Sequence, residues 1–469
     1  MSRYILWSLL SLVLLNQHSF SQGIPDSVVI EAGSLVAHGE NVPFWLVSNR
    51  YGTIDNTAFN GWVRASAFRQ YHSEKAVAYT YGLDVYNLYS NENRVILNQA
   101  FLGLRLSFLE IEAGKRREQF GNQDSVLSSG GLLWSGNASP LPKVTIRTAG
   151  YVPVPFTSEY LYFRGGISHG WFGNTEFTDR VWLHHKYFFI RTTEKFPVVI
   201  SAGMHHFAQW GGTSKDSAIG HLPSDLQAFW SVFTAKSGSS ESPDNERLNA
   251  LGNHLGSYNI RLDIHLKNST AGLYWQSIFE DNSGRKLRNG GDGLWGISFR
   301  MDQSSLWPSG FVFEYLKTTD QSGVVIIDPN HTAPPTGNDN YFNNGIYKNG
   351  WSYQDRTLGN ALISSPFYFR DEAGNYFLNN RVKACHFGLS GQLERLDFKY
   401  EILYTYSHNF GTYSYPFASD YKSQSVVMGF HFDNIFHTRN CLSFSAAMDY
   451  GEMYGRNAGL QVRFSRRLF

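Results

Sequence analysis

The stretch Leu396-Asp397-Phe398-Lys399-Tyr400-Glu401-Ile402-Leu403-Tyr404-Thr405-Tyr406-Ser407 alternates strictly in character. Leu396, Phe398, Tyr400, Ile402, Tyr404 and Tyr406 share one face. Asp397, Lys399, Glu401, Thr405 and Ser407 share the other, with Leu403 the one apolar exception. A period of two is the signature of a β-strand, because successive side chains point to opposite faces. The run from Tyr258 to Lys267 repeats the pattern. Ile260, Leu262, Ile264 and Leu266 lie opposite Asn259, Arg261, Asp263, His265 and Lys267. Strands of soluble sheets average about five to six residues. These runs have the length of a tilted membrane strand, about 9–11 residues.

The connections carry a second signal. Thr192 to Pro197, Lys267 to Ser269, Asp302 to Ser309, Glu394-Arg395 and Asn434 to Asn440 are short. Between them come Gly211 to Leu255, Glu280 to Gly293, Asp320 to Ala384 and Asn409 to Gln424, which are longer. Alternation of short and long links is the habit of outer-membrane barrels, with periplasmic turns and extracellular loops. Further alternating runs lie near 28–37, 62–72, 76–89, 96–106, 110–117, 144–150 and 160–170. The expected fold is all-β: a transmembrane antiparallel β-barrel of about 18 strands, with a small helical segment or bundle plugging one mouth. Pro223 to Phe233 has helical spacing behind Ser224-Asp225, and Asp244 to Leu255 is a second helix candidate. The closing run places Leu460, Val462, Phe464 and Leu468 on one face and the terminal Phe469 on the other, a shift that a bulge would repair.

The first residues read as an export signal. Arg3 is the positive n-region, Ile5 to Leu15 the apolar core, and Ser19-Phe20-Ser21 the small-x-small cleavage site. The signal peptide is therefore 1–21 and the barrel 22–469, with long loops near 118–143, 211–255 and 320–384. The chain of 469 residues carries 40 Lys and Arg against 39 Asp and Glu. Loss of Arg3 leaves the mature chain neutral, so the basic footprint of a nucleic-acid binder is missing. A hydrophobic share of 42% speaks against disorder. Cys385 and Cys441 are the two cysteines; spacing alone leaves a disulfide and two free thiols equally open.

Catalytic signatures are missing. There is no H-E-x-x-H, no G-x-S-x-G, no phosphate-binding loop and no dinucleotide fingerprint. None of the 16 His is followed two positions later by Ser, which lowers a membrane phospholipase. His184-His185 and His205-His206 point to opposite faces in strands and cannot chelate one metal as pairs. What stands out instead is a set of polar-aromatic patches. They are GKRREQFG (Gly114 to Gly121), SSGGLLWSGNASPLPK (Ser128 to Lys143), SHGWFGN (Ser168 to Asn174), HHFAQWGG (His205 to Gly212), GNHLGS (Gly252 to Ser257) and NYFNNGIYKNGWSY (Asn340 to Tyr353). Aromatic faces with Asn, Gln, His and Arg donors suit sugars, and Arg suits uronate carboxylates. Taken singly, each patch also fits an aromatic girdle or a polar lumen.

In order along the chain, these patches resemble the capsule-assembly Wzi family, in the form common in Bacteroidetes. PFWLVSNRYG (Pro43 to Gly52), the His184-His185-Lys186 run and SHNFGTY (Ser407 to Tyr413) extend the resemblance over most of the mature chain. It implies an outer-membrane barrel with a small helical bundle on the periplasmic side, for which 38–61, 118–143 and 211–255 are the available segments. It implies a lectin-like role without catalysis or cofactor: holding capsular or other exopolysaccharide on the cell surface. Outer-membrane lipid and the polysaccharide export machinery are the other expected partners, and a monomer is the expected state. The alternative is an outer-membrane diffusion or uptake channel with the same polar lumen. The candidate polysaccharide contacts are Arg116, Arg117 and Glu118 for luminal charge. Trp171, Trp210 and Trp351 are candidates for stacking, and Asn137, His169, His206, Gln209 and His254 for hydrogen bonds.

Overall fold

The computed structural model describes residues 26–71, 77–236, 250–302, 308–323, 339–368, 376–393, 396–435 and 438–468. The export signal, residues 244–249 of the second helix candidate, and Phe469 lie outside the described residues. Eighteen long strands form the wall. In chain order they are β1 (Ser27–His38), β2 (Phe59–Arg69), β3 (Val77–Tyr89), β4 (Asn93–Leu106), β5 (Leu109–Lys115), β6 (Lys143–Thr148), β7 (Leu161–Gly173), β8 (Val181–Thr192) and β9 (Val198–Trp210). The second half holds β10 (Asn253–Leu266), β11 (Ser269–Ser277), β12 (Gly293–Met301), β13 (Gly310–Lys317), β14 (Val382–Leu393), β15 (Phe398–Gly411), β16 (Pro416–Phe432), β17 (Asn440–Gly451) and β18 (Asn457–Arg467). Each pairs antiparallel with its sequence neighbours, and β1 pairs with β18 from Val29↔Arg467 to His38↔Ala458. That last pairing closes the barrel and removes every open strand edge.

The polarity of the wall is inverted relative to a soluble protein. Ile260, Leu273, Ile297, Phe387, Met428, Phe444, Leu460 and Phe464 stand exposed on the outside. Their strand neighbours Asn259, Gln276, Ser298, His386, Ser445 and Gln461 are buried within. An apolar belt this extensive is stable only against lipid. The even strand number brings both ends of the sheet to one rim. Most turns there are short, such as 107–108, 193–197 and 267–268, with 149–160 the longer exception. Strands are joined at the opposite rim by the long connections 39–58, 116–142, 211–252, 278–292 and 318–381, of which 237–249, 324–338 and 369–375 lie outside the described residues.

Three of those segments turn inward and fill the barrel. The four-residue helix α1 (Phe44–Val47) is wholly buried. It belongs to one apolar core with Leu132, Leu133 and Trp134 from the second segment and Trp351, Leu358 and Ile363 from the third. Gly114 releases the second segment from β5 at φ +130°, where a Cβ would lie 2.1 Å from the Ala100 carbonyl oxygen. The helical segment in one mouth is thus present. A helical bundle at the rim of the chain termini is not found among the described residues. Helix α2 (Leu226–Thr234) lies at the long-loop end, as does α3 (Asn282–Arg285). Asp225 caps α2, its carboxylate accepting from the Ala228 amide at 2.7 Å. Part of the second helix candidate is corrected: Asn253 to Leu255 open β10, drawn into the sheet by pairing with Phe207 to Gln209.

One wall carboxylate fastens this plug. Glu314 of β13 is fully buried and accepts from Ser128 Oγ at 2.5 Å, from the Ser129 amide at 2.7 Å and Oγ at 2.6 Å, and from Tyr274 OH at 2.7 Å. His386 lies 2.8 Å from the Leu127 carbonyl, and Gln276 accepts from the Leu132 amide at 2.9 Å. Glu314→Ala would strand four donors in a dry interior, at about 3 kcal/mol or more. We expect that variant to lose its folded gel migration at lower temperature and to show conductance steps in planar bilayers where the wild type is silent. Equal heat resistance together with silence would place the attachment elsewhere.

Candidate functional site

Among the described residues, two cavities lie on opposite sides of the plug. The one at the long-loop rim is a basin of about 500 Å³. One side is built by the end of β7 and the turn after it, with Phe172, Asn174 and Glu176. The other side is a small hairpin, Ser352-Tyr353 paired with Arg356-Thr357. Its tip residues Gln354 and Asp355 have φ of +51° and +60°, the two positive values of a type I′ turn. The Tyr376 hydroxyl donates to Asp355 Oδ1, and the Asp355 carbonyl accepts from the Phe367 amide at 2.8 Å. Beneath the hairpin Arg356 is buried with its guanidinium 3.7 Å from the Phe367 ring centre, donating to the Ile54 carbonyl. Burial pushes this guanidinium down to about 10. Tyr353 stands 6.3 Å from Phe172, ring to ring, and Tyr376 stands 6.1 Å from Phe177. Asn349, on the same wall, has a buried Oδ1 with no hydrogen-bond partner. The Tyr353 ring is partly exposed and stands beside amide and carboxylate groups, an arrangement suited to a sugar ring, whereas Tyr376 is buried and braces the hairpin.

The second cavity, about 350 Å³, lies under the plug, toward the rim of the termini. It gathers Arg116, Arg117 and Glu118 from the segment after β5, as the luminal charge that the sequence reading placed there. Arg147 bonds Glu110 at 2.9 Å, Glu118 at 3.0 Å and Glu112 at 3.2 Å. Arg116 also pairs with Glu112. Arg117 reaches Asn98 Oδ1 at 2.6 Å, Tyr86 OH at 3.0 Å and Asp84 at 3.1 Å. Burial acts to raise the Glu118 carboxyl, but Lys143 and Arg147 outweigh it and hold the group below the usual carboxylate range.

The remaining candidates scatter. Trp351 is 0% exposed and donates to the Leu133 carbonyl at 2.7 Å. Asn137 is buried and donates to the Thr357 carbonyl at 3.3 Å, and Gln209 donates to the Gly350 carbonyl at 3.0 Å. All three belong to the plug and its seat. His169, Trp171, His206, Trp210 and His254 face outward from the wall. Trp210, 2% exposed, lies beneath α2, where Ala228 and Val232 pack against it. His206 and His254 meet at 2.8 Å, and Lys186 donates to the Phe233 carbonyl at the end of the same helix. Trp171, 41% exposed, stands on the outer face against His169. Stacking by Trp210 and Trp351 is therefore corrected: neither ring has a free face. The basin's Tyr353, Tyr376 and Asn349 were missed individually. The I′ tip Gln354-Asp355, which lacks the usual Gly, hid the hairpin. Cys385 and Cys441 are free, on strands three apart. Among the described residues no group of three His, Cys, Asp or Glu is arranged to hold a metal.

The family model for capsule assembly protein Wzi matches residues 21–365. No match was found among curated proteins. Among solved structures, the chain is similar to Wzi from Escherichia coli, an outer membrane protein involved in group 1 capsule assembly and a carbohydrate-binding β-barrel. The TM-score is 0.61 at 13% identity, covering 93% of this chain and 83% of that one. Two further solved structures match more loosely. OccAB2 of Acinetobacter baumannii has a TM-score of 0.47 at 9% identity, covering 94% of this chain and 97% of that one. OccK3 of Pseudomonas aeruginosa has 0.46 at 10% identity, covering 94% and 95%.

Three carboxyl groups join the loops at the long-loop rim. Asp339 accepts from Ser322 Oγ at 2.7 Å, Asp292 from the Gln321 amide at 2.8 Å, and Glu280 from the Phe342 amide at 2.8 Å. Burial, reinforced by Asp281 and Asp292, raises Asp339 from 3.8 to about 7. Glu280 and Asp292 move the same way, chiefly through burial. A carboxyl raised on folding stabilises in its protonated form. That contribution is complete below 3.8 and is lost as pH rises through about 7. Amides at 320–323 and 339–342 should therefore exchange faster at pH 8 than at pH 5.5, after correction for intrinsic rates. Asp339→Asn should flatten that difference; an unchanged pH response in the variant would reject Asp339 as its source.

Proposed function

Because the chain belongs to the capsule-assembly Wzi family, we propose that it is an outer-membrane lectin that holds capsular or other surface polysaccharide at the cell surface. The observation that carries this reading is the outer basin: the partly exposed Tyr353 ring beside the amides of Asn174 and Asn349, against a plug seated deep in the barrel. By the general habit of such barrels the long-loop rim faces outward, which turns the basin toward the polymer. The reading needs binding groups only and invokes no catalysis. The polymer is the main partner, lipid surrounds the apolar belt, and the machinery that exports the polymer is the neighbour from which it would be received. A wall that pairs β1 with β18 needs no second copy to cover an edge, so the working state is a monomer. A diffusion channel fits less well, since the lumen is filled by a contiguous apolar core around α1, Trp134 and Trp351.

Tyr353→Ala and Asn349→Ala test the basin in cells and in solution. Each should weaken binding of the purified protein to the host's own polysaccharide about tenfold. In cells the pair should move polymer from the cell-bound to the shed fraction with total synthesis unchanged. Normal heat-dependent gel migration confirms that the barrel has assembled. Unaltered retention in an assembled double variant would remove the basin from the binding surface.

A further inference from the structure

We propose that the chamber beneath the plug is a second binding site, specific for a carboxylate-bearing saccharide and entered from the rim where the chain termini lie. It goes beyond the outer basin and does not depend on it. Its roof is the underside of the plug, Gln119, Phe120 and Gly121, and Thr148 and Gly150 mark its lower side, at the turn that follows β6. The volume of about 350 Å³ is at the small end of ligand pockets, enough for a short saccharide.

The charge of the lining selects an anion. Arg116, Arg117, Arg147 and Arg164 line the chamber against Glu110 and Glu118. Both carboxylates are already shared: Glu110 between Arg105 and Arg147, Glu118 between Lys143 and Arg147. Arg164 is different. It makes no ion pair among the described residues, and its guanidinium lies over the rings of Tyr151 at 5.0 Å and Phe189 at 4.6 Å. Its Nε is buried without an acceptor. On the same wall, with β8 between them, stands His205, 3% exposed, whose Nδ1 meets His185 Nε2 at 3.1 Å while its own Nε2 has no partner. A guanidinium flanked by two rings, with its Nε shut off from water, is a pre-ordered fork that lacks its carboxylate. Gln119 and Tyr187 in the same lining supply polar groups for sugar hydroxyls, and the Phe120 ring supplies an apolar face. A neutral saccharide would leave Arg164 unanswered. A phosphate dianion concentrates its charge at one point facing Glu110 and Glu118, whereas an oligouronate spaces single carboxylates one sugar apart.

Calorimetric titration of the full chain in detergent decides the matter with three probes: trigalacturonate, maltotriose and inorganic phosphate. Trigalacturonate should bind, maltotriose should not, and phosphate should bind more weakly than the uronate. Arg164→Gln should lower uronate affinity about tenfold or more, with Arg164→Lys intermediate. Because Arg164 holds no ion pair, the variant leaves the wall's charge network intact, and heat-dependent gel migration checks its assembly. Equal binding of maltotriose, tighter binding of phosphate, or an Arg164→Gln variant with wild-type uronate affinity would each overturn the proposal. So would loss of uronate affinity in Tyr353→Ala with none in Arg164→Gln, which would place the site in the outer basin.

Discussion

A barrel of this width cannot be filled by the side chains of its own wall. Small barrels pack their interiors with wall residues, whereas those of about 16–18 strands leave an aqueous channel. Here the gap is taken up by loops, and loops bring backbone polar groups into a dry space where each must find a partner. Glu314 answers that need most economically. As a buried carboxylate it accepts from one amide and three hydroxyls, and so fixes Ser128 and Ser129 to the wall. From that point outward the plug can be followed bond by bond. Asn360 Nδ2 donates to Ser129 Oγ at 3.0 Å and to the Gly130 carbonyl at 2.7 Å. Trp351 reaches back to Leu133, and the Tyr51 amide donates to the Gly136 carbonyl at 2.7 Å.

The wall was legible because lipid outside and polar matter inside force alternation on every strand. Tyr258 to Lys267 and Leu396 to Ser407 could be read residue by residue, and Leu403 points inward among Glu401, Thr405 and Ser407. Loop lengths gave the polarity of the two rims less evenly: the long link expected over Asn409 to Gln424 is only 412–415, because β15 and β16 run on through most of it. The plug was not legible. Its contacts join 39–58 with 116–142 and 339–368 over hundreds of positions, and no period records such pairings. Its hydrophobic residues read as patches, and Trp351 therefore looked available when it is the centre of a core.

The outward histidines show a second limit. Period two placed His206 correctly beside Met204, Ala208 and Trp210, yet it could not say what covers them. Helix α2 does. Val232 and Ala228 press on the wall, while Trp230 and Leu226 remain exposed on the other side. A helix apolar on both sides is stable where one side meets protein and the other meets the membrane interface. The aromatic run that suggested sugar stacking is thus used for seating this helix.

Rigid anchoring of the plug also decides what the two cavities can recognise. A loop that must be ordered on binding gives up affinity to do so. The Tyr353 hairpin is ordered in advance, by Arg356 stacked on Phe367 and by Asp355 tied to Tyr376. The chamber below is ordered by a lattice of Arg–Glu pairs that cannot relax without breaking several bonds at once. A plug that only blocked flow would need apolar bulk alone. This one carries the Tyr353 phenol and the Asn349 amide on its upper surface and guanidinium groups on its lower one, so the closure of the barrel and the presentation of polar groups on both sides are achieved by the same segments.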